Sequence, residues 1–229
     1  VSSQGIKMHR TDGLYFNYAI FTNISPDHIG PGEHADFEEY LYYKTRLLNM
    51  CGIGLVNKDD EHAPQIIKAA NCELYTYSEE SKEADFVASD IRYVSQPDFV
   101  GTEFHISGKY DMEVRLGIPG LFNVVNALAA VSVCSFLGLD QARISHALEN
   151  IRVNGRMEIV YTSERCTVLV DYAHNAVSME SLLSTLRDYK PKRLVCVFGC
   201  GGNRSKDRRY SMGEIGGKMA DLSIITADN

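Results

Sequence analysis

Three clusters of polar side chains directly follow apolar, strand-like runs, and each could carry chemistry. They are residues 23–28 after 18–22, residues 171–175 after 167–170, and residues 199–209 after 194–198. Ligands of open α/β sheets lie beyond the carboxyl ends of the strands, so these three segments are the first candidates for a functional site.

The cluster at 199–209 combines flexible backbone with positive charge. Its glycines are Gly199, Gly201 and Gly202, and its cationic side chains are Arg204, Lys206, Arg208 and Arg209. Glycines allow close backbone approach, and a helix start attracts anions, so an anionic guest is expected. The run is not a Walker A loop, which needs Gly-Lys followed by Ser or Thr, and it is not a dinucleotide fingerprint, because Arg204 stands where the third glycine would be. A solvated charge run after a turn is the alternative.

Two asparagines lie three residues apart at the start of a helix that Gly120 opens. Asn123 and Asn126 therefore share one face near its N-terminus. An amide offers both a donor and an acceptor, which suits the edge of a purine. Helix capping and simple surface polarity explain the same spacing.

Lys44 lies in the middle of an apolar helical stripe. The stripe consists of Phe37, Tyr40, Leu41, Leu47 and Leu48. One interpretation is a lysine that covers apolar surface with its stem and keeps its charge in water. The functional interpretation is a desolvated lysine whose pKa falls until the neutral amine can react.

Two histidines stand in strand-end loops. His28 follows the first strand within Ser25–His28, where Asp27 could orient it, and His174 lies close to Asp171. A lone histidine in such a turn more often forms a local hydrogen bond than a metal bond.

The elements that must position these residues alternate between strand and helix. Strand-like runs are expected at 18–22, 54–57, 157–161, 167–170, 194–198 and 222–226, with helices at 36–49, 61–70, 120–137, 139–150 and around 179–186 and 212–219. The stretch 72–116 is β-rich. This alternation predicts an α/β fold, with a parallel, doubly wound sheet after Asn154-Gly155.

Composition narrows the class further. The chain has 229 residues with a net charge of −7, which gives no general attraction to nucleic acid or to anionic membranes. No apolar run reaches the roughly 18 residues of a membrane span. Six scattered cysteines without a C-x-x-C pair favour a reducing cytoplasm over disulfides. Cys196 and Cys200 lack a second pair at zinc spacing, so buried thiols are favoured over a zinc site.

With these residues identified, the sequence resembles the Mur ligase family, of the MurE type, over essentially its whole length. The motifs that carry the resemblance are Val1-Ser2-Ser3-Gln4-Gly5, Thr22–His28, Tyr43-Lys44, Gly120–Ala130, Gly155-Arg156-Met157-Glu158, Asp171-Tyr172-Ala173-His174 and Phe198–Arg204.

The resemblance implies a three-domain ligase, of which this chain comprises part. Residues 1–154 would be a partial central ATP-binding domain, and residues 155–229 an incomplete Rossmann-like C-terminal domain. The Gly-Lys-Thr phosphate loop is not in the chain, so the chain alone is expected to be inactive. The implied reaction adds a diamino acid, meso-diaminopimelate or L-lysine, to UDP-N-acetylmuramoyl-L-Ala-D-Glu in peptidoglycan precursor synthesis, through an acyl phosphate.

The resemblance also implies roles for individual residues. On the ATP side it implies Asn123, Asn126, Arg156, Asp171 and His174. On the magnesium side it implies His28 and a carbamylated Lys44, both catalytic. On the substrate side it implies Ser2, Arg10, Arg204, Asp228 and Asn229, the last two as the first half of an Asp-Asn-Pro-Arg motif. Met8 replaces a glutamine that some relatives use.

The expected cofactors are ATP and Mg²⁺, and the expected state is a cytoplasmic monomer without nucleic acid or membrane partners. Two rivals remain open. One is a folylpolyglutamate-type ligase, which the Gly199–Arg204 run disfavours, and the other is a non-catalytic nucleotide-binding relative.

Overall fold

The structure is a computed structural model that describes residues 1–26, 29–200 and 206–227, without the side chains of Lys206 and Asp207. These residues form two compact units. Unit one comprises Val1–Ile91, Phe104–Val114 and Val124–His146, and unit two comprises Arg92–Glu103, Arg115–Asn123 and Ala147–Asn229.

Unit one is built on a six-stranded sheet with its strands in chain order. The strands are β1 (Phe16–Phe21), β2 (Cys51–Asn57), β3 (Glu73–Ser78), β4 (Phe86–Gln96), β5 (Phe99–Gly108) and β6 (Met112–Leu116). Strands β1 to β4 pair in parallel, with Phe16 opposite Cys51 and Ile53 opposite Glu73. Residues 92–96 of β4, 99–103 of β5 and 115–116 of β6 belong to unit two.

The helices of residues 1–150 are α1 (Ser3–Lys7), α2 (Phe37–Thr45), α3 (Ala63–Ala69), α4 (Leu121–Phe136) and α5 (Gln141–Glu149). Helix α2 connects β1 to β2 and helix α3 connects β2 to β3, as crossover connections between parallel strands require. Helix α2 begins where Asp36 accepts a hydrogen bond of 2.8 Å from the backbone N–H of Glu39, and it ends in a 3₁₀ turn, Arg46–Asn49. The core packed here includes Phe21, Tyr40, Leu41, Leu48, Val56 and Ile66.

Unit two contains the later elements. They are β7 (Glu158–Thr162), β8 (Thr167–Val170), α6 (Ala176–Asp188), β9 (Val195–Gly199), α7 (Lys206–Met219) and β10 (Leu222–Thr226). Strands β9 and β10 pair in parallel, and α6 and α7 pack through Met179, Leu183 and Met212. Asn175 caps α6 in a reciprocal capping box with Ser178.

The expected doubly wound sheet is wrong for β7 and β8. In the described residues these two strands form their own antiparallel pair, with Glu158 opposite Val170. Only residues 163–166 separate them, closed by a hydrogen bond of 2.9 Å from the Ser163 N–H to the Cys166 carbonyl. A connection this short permits an antiparallel hairpin, whereas a parallel crossover needs about a dozen residues.

Tyr189, just after α6, ties separate stretches of unit two together. Its hydroxyl donates to the Gly101 carbonyl at 3.0 Å, accepts from the Gly120 N–H at 3.2 Å and lies 3.0 Å from the Thr102 hydroxyl. Gly120 has φ +105°, which favours glycine, and helix α4 starts at the next residue. Burial raises the pKa of the Tyr189 hydroxyl.

The cysteines differ in environment. Cys51 is buried, Cys166 is exposed, and Cys72, Cys134, Cys196 and Cys200 are half-buried, all as free thiols. Cys196 and Cys200, for which buried thiols were expected, are thus only half-buried, and Cys166 lies in the exposed β7–β8 turn. Among the described helices, none is both long and apolar enough to cross a bilayer.

Candidate functional site

In unit two, Asp171 anchors the turn that carries Arg156. The Asp171 carboxylate accepts the Met157 N–H at 2.9 Å and the Ala173 N–H at 2.8 Å. Gly155 and Met157 both have positive φ, +67° and +46°, and Met157 is buried. The chain therefore reverses sharply at Arg156, and Asp171 holds that reversal at the end of β8.

Arg156, Tyr172 and His174 form an exposed stack beside this anchor. The Arg156 guanidinium carbon lies 4.7 Å from the centre of the Tyr172 ring, and the Tyr172 and His174 rings are 4.9 Å apart. Nδ1 of His174 donates to the Tyr172 carbonyl at 3.0 Å. Three of the sequence-predicted residues, Arg156, Asp171 and His174, thus come together.

Tyr172 is the member of this cluster to which the sequence analysis assigned no role. The ring supports a guanidinium from a different segment of the chain, in a cation–π contact. An aromatic residue next to a strand-end carboxylate was the available signal. That signal did not reveal the contact between Tyr172 and Arg156, because the turn at Gly155 determines that Arg156 reaches the ring.

The two candidate asparagines lie in the first turns of α4 with different surroundings. Asn123 is half-buried, and its amide nitrogen donates to the Pro119 carbonyl at 2.6 Å. Asn126 is exposed and forms no side-chain hydrogen bond with the described residues. Asn123 thus contributes to the helix start, while the amide of Asn126 faces solvent.

In unit one, the candidate substrate residues Ser2 and Arg10 flank α1, one at each end. Ser2 is exposed and caps α1 by accepting the Gly5 N–H at 3.0 Å. The Arg10 guanidinium is exposed and contacts the Met8 sulfur at 3.5 Å. Met8 therefore contacts Arg10, one of the candidate substrate residues.

A left-handed turn after α1 fixes the backbone of Arg10. His9 has φ +58°, its N–H donates to the Ile6 carbonyl at 3.1 Å, and the Arg10 N–H donates to the Gly5 carbonyl at 2.9 Å. These bonds are those of a Schellman motif. Helix α1 packs against α2, the helix that carries Lys44.

Lys44 is half-buried on α2, and its Nζ lies 5.4 Å from the centre of the Tyr40 ring. Within the part of the chain that the structure describes, no carboxylate lies at ion-pair distance from it. The amine thus stands against an aromatic face with no acidic partner there, which fits conversion to a carbamate with oxygens for Mg²⁺.

Four of the predicted site residues, His28, Arg204, Asp228 and Asn229, lie outside the described residues. Across residues 1–26, 29–200 and 206–227, no group of three or more His, Cys, Asp or Glu side chains is placed to hold a metal ion.

An acidic surface in unit one lines an open depression of about 480 Å³, bordered by Lys58, Asp59, Asp60, Glu61, Pro64, Glu80 and Ser81. Asp60 accepts from the Ile24 N–H at 2.9 Å, and Asp59 accepts from the Glu79 N–H at 2.9 Å. Burial, with Asp59 and Glu80 nearby, raises the pKa of Glu79 to about 7. These carboxylates mainly order the surrounding backbone.

Comparison with known families assigns the class. Residues 1–134 match the Mur ligase middle domain, and residues 155–229 match the Mur ligase glutamate ligase domain. The chain belongs to the Mur ligase family.

Its relatives indicate a branch within this family. A UDP-N-acetylmuramoyl-L-alanyl-D-glutamate–2,6-diaminopimelate ligase of Alkaliphilus oremlandii is 39% identical over the whole chain, which covers 47% of that protein. The ligase of the same name from Clostridioides difficile is 37% identical, again with the whole chain and 47% of the relative covered. The chain spans about half the length of the curated relatives it matches.

Solved structures agree on the fold. A structure of a UDP-N-acetylmuramoyl-L-alanyl-D-glutamate–2,6-diaminopimelate ligase matches the whole chain and 47% of its own length, with a TM-score of 0.78 and 30% identity. A Mycobacterium tuberculosis folylpolyglutamate synthase matches 92% of the chain and 48% of its own length, with a TM-score of 0.64 and 18% identity. The latter likeness concerns the fold alone. These findings confirm the predicted family and the α/β fold class.

Proposed function

We propose that this chain is the ATP-handling and amino-acid-handling part of a ligase that adds a diamino acid to UDP-N-acetylmuramoyl-L-alanyl-D-glutamate. The observation that carries the proposal is the likeness over the entire chain to proteins named as diaminopimelate ligases, one of them 39% identical. The grouping of Arg156, Asp171 and His174 at one strand end supports it.

The proposed reaction has two steps. The D-glutamyl γ-carboxylate attacks the γ-phosphorus of ATP, ADP leaves, and an acyl phosphate forms. The free amine of the diamino acid then attacks the acyl carbon, and phosphate leaves from the tetrahedral intermediate. Positioning and charge stabilisation carry such phosphoryl transfer, so no protein nucleophile is needed.

The proposed ATP contacts come from two helix residues and one strand-end cluster. Asn126 and Asn123 would offer their amides to the adenine edge. Arg156, held outward on the Tyr172 ring, would pair with phosphate oxygens, and Asp171 would keep the turn of Arg156 in place. His174 would complete the same surface.

The proposed substrate contacts are Ser2 and Arg10 for the muramoyl dipeptide and Arg204 for the incoming amino acid, with Asp228 and Asn229 helping to select it. Magnesium would be held by His28 and by the carbamylated Lys44, and when bound it would neutralise phosphate charge. Lys44 itself contributes a half-buried amine with no acidic partner in the described residues.

We also propose a domain boundary between residues 154 and 155, where the second family match begins. The protein would act in the cytoplasm as a monomer, and its free cysteines suit a reducing compartment.

The test uses the complete ligase polypeptide that carries this chain. It is incubated with ATP, Mg²⁺, UDP-N-acetylmuramoyl-L-Ala-D-Glu and either meso-diaminopimelate or L-lysine, and products are separated by mass spectrometry. The proposal expects a UDP-linked tripeptide with one ADP and one phosphate for each bond. Ligation of glutamate to a folate instead would favour the folylpolyglutamate rival, and absence of any ADP would favour a non-catalytic relative.

A further inference from the structure

His34 is a fully buried histidine that none of the proposed chemistry uses. It lies in the loop before α2, its side chain is 0% exposed, and its Nε2 lies 2.9 Å from the hydroxyl of Ser3, itself buried in α1. A buried imidazole is costly without a polar partner, and Ser3 supplies one. His34 therefore joins the loop before α2 to α1.

The other ring nitrogen of His34 faces a charged network. Nδ1 lies 3.7 Å from a Glu39 carboxylate oxygen, and that oxygen accepts from Lys7 Nζ at 2.8 Å and from the Ala35 N–H at 2.7 Å. The Lys7 hydrogen bond lowers the pKa of the Glu39 carboxyl, so a carboxylate faces Nδ1. A proton on Nδ1 is attracted by that carboxylate, which leaves Nε2 to accept from the Ser3 hydroxyl.

Two more side chains of α1 bind the same loop. The Gln4 amide donates to the Gly32 carbonyl at 3.2 Å, and Lys7 Nζ donates to the Glu33 carbonyl at 2.9 Å. Helix α1 is thus attached at three points along one side. Of these three attachments, the one between His34 and Ser3 is buried, and the other two are exposed.

The ring of His34 also reaches the Lys44 helix. Its centre lies 5.2 Å from the Tyr40 ring and 5.7 Å from the Tyr43 ring, and Tyr40 carries the Lys44 amine over its face. One imidazole therefore contacts α1 on one side and the aromatic support of Lys44 on the other.

We infer that His34 is a positioning residue that fixes α1, with Ser2 and Arg10, relative to the helix of Lys44. The inference rests on the proposed function, because Ser2 and Arg10 matter as contacts to the muramoyl dipeptide. His34 touches no substrate itself. Its hydrogen bond to Ser3 sets where the dipeptide-binding side chains stand, so its loss weakens dipeptide binding and leaves ATP binding intact.

The test compares His34→Leu, His34→Gln, Ser3→Ala and the His34→Leu/Ser3→Ala double variant in the complete ligase. His34→Gln keeps a polar amide near the Nε2 position, and its oxygen can accept from the Ser3 hydroxyl. The control is His105→Leu, a histidine of β5 with 25% exposure. Steady-state kinetics give KM for the UDP-linked dipeptide, KM for ATP and kcat.

The inference expects His34→Leu to raise KM for the dipeptide about tenfold, as loss of a buried hydrogen bond of ordinary strength would. KM for ATP changes less than about twofold, His34→Gln recovers most of the loss, and the double variant is no worse than His34→Leu. Equal rises in both KM values, or additive effects in the double variant, overturn the inference.

A second measurement separates this inference from the proposed function. Amide hydrogen exchange is followed by mass spectrometry in the same proteins, whether or not they ligate. Faster exchange in Ser3–Lys7 for His34→Leu, but not for His34→Gln or His105→Leu, supports the inference. Unchanged exchange in α1 of His34→Leu overturns it. If the wild-type ligase binds no dipeptide, that result contradicts the proposed function, and the exchange measurement still tests whether His34 fixes α1.

Discussion

At the scale of single residues, Lys44 has the clearest predicted phenotype. Its amine lies over Tyr40 without an acidic partner in the described residues, and carbamylation would give it the oxygens that Mg²⁺ binds. Lys44→Ala in the complete ligase should lower kcat about a hundredfold or more, since charge stabilisation of phosphoryl transfer is worth several kcal/mol.

A short carboxylic acid that fills the vacated space should restore part of the Lys44→Ala rate. The matched control is Lys68→Ala, because Lys68 is an exposed lysine in the last turn of another helix, α3. It should ligate normally. Near-normal ligation by Lys44→Ala would show that Lys44 only covers apolar surface.

Tyr172 should tune ATP binding through Arg156. Tyr172→Leu removes the ring under the guanidinium, a contact worth about 0.5–1 kcal/mol at an exposed site, so KM for ATP should rise about two- to fivefold. Tyr172→Phe keeps the ring and should stay close to wild type. Equal effects of Leu and Phe would assign the role to the hydroxyl.

Glu79 should make stability depend on pH. Its pKa is raised from the ordinary 4.5 to about 7 by burial and by Asp59 and Glu80. The folded state therefore holds the proton more tightly than the unfolded state. The contribution of Glu79 to stability is therefore fully present below pH 4.5, falls as pH rises from 4.5 to 7, and is lost above 7.

Glu79→Gln removes this carboxylate, so it should stabilise the protein at pH 8 by about 1 kcal/mol, a discounted value for a partly exposed group. At pH 4.5 the same change should have little effect. Urea unfolding at both pH values measures the difference. The exposed Glu83→Gln serves as control, and a pH-independent effect of Glu79→Gln would contradict the assignment.

The sequence identified Arg156, Asp171 and His174 as separate candidates through their motifs, and the structure groups them. The sequence analysis assigned no role to Tyr172 or His34. Both act through contacts with distant segments, Tyr172 with the Arg156 turn and His34 with α1. Such contacts depend on tertiary geometry, which cannot be read from a single sequence.

At the scale of elements, the left-handed end of α1 should be improvable. His9 adopts φ +58° in the Schellman motif, where a side chain is strained and glycine is not. His9→Gly should raise the free energy of unfolding by about 0.5–1 kcal/mol, since the Asp12 contact it loses is exposed.

His9→Ala is the control for this change, because alanine keeps the strain and loses the same contact. It should not stabilise the protein. Urea unfolding of both variants gives the answer, and destabilisation by His9→Gly would show that the Asp12 contact outweighs the strain.

Most elements were predictable because they are periodic. Helix α4 follows its expected range to within one residue, and β8 and β10 match theirs. Helix α1 was missed, since five residues are too few to show a helical period. The β7–β8 pair was assigned to the wrong sheet, because an apolar run reveals a strand but not its partner.

At the scale of the whole molecule, the chain taken alone should not turn over ATP. Its 229 residues contain no Gly-Lys followed by Ser or Thr, the loop that cradles phosphates in such enzymes. Purified alone, it should release no phosphate above background in a coupled assay, while the complete ligase does so when its substrates are present. ATP hydrolysis by this polypeptide would contradict the assignment of the phosphate site.

The family and the α/β class followed from motif order, because the motifs are spread along the whole chain. The compact units did not follow, since Arg92–Glu103 and Arg115–Asn123 join the later residues in unit two. Sequence periodicity carries no information about which half of a strand packs with which unit.

The Tyr189 hydroxyl limits how relatives can be recombined. It belongs to the stretch matched by the glutamate ligase domain, yet its partners Gly101, Thr102 and Gly120 belong to the stretch matched by the middle domain. A chimera joined at residue 154 takes Tyr189 from one parent and its partners Gly101, Thr102 and Gly120 from the other. The construction of hybrid ligases therefore requires parent proteins that both keep this tyrosine and its three partners, whatever their overall sequence identity.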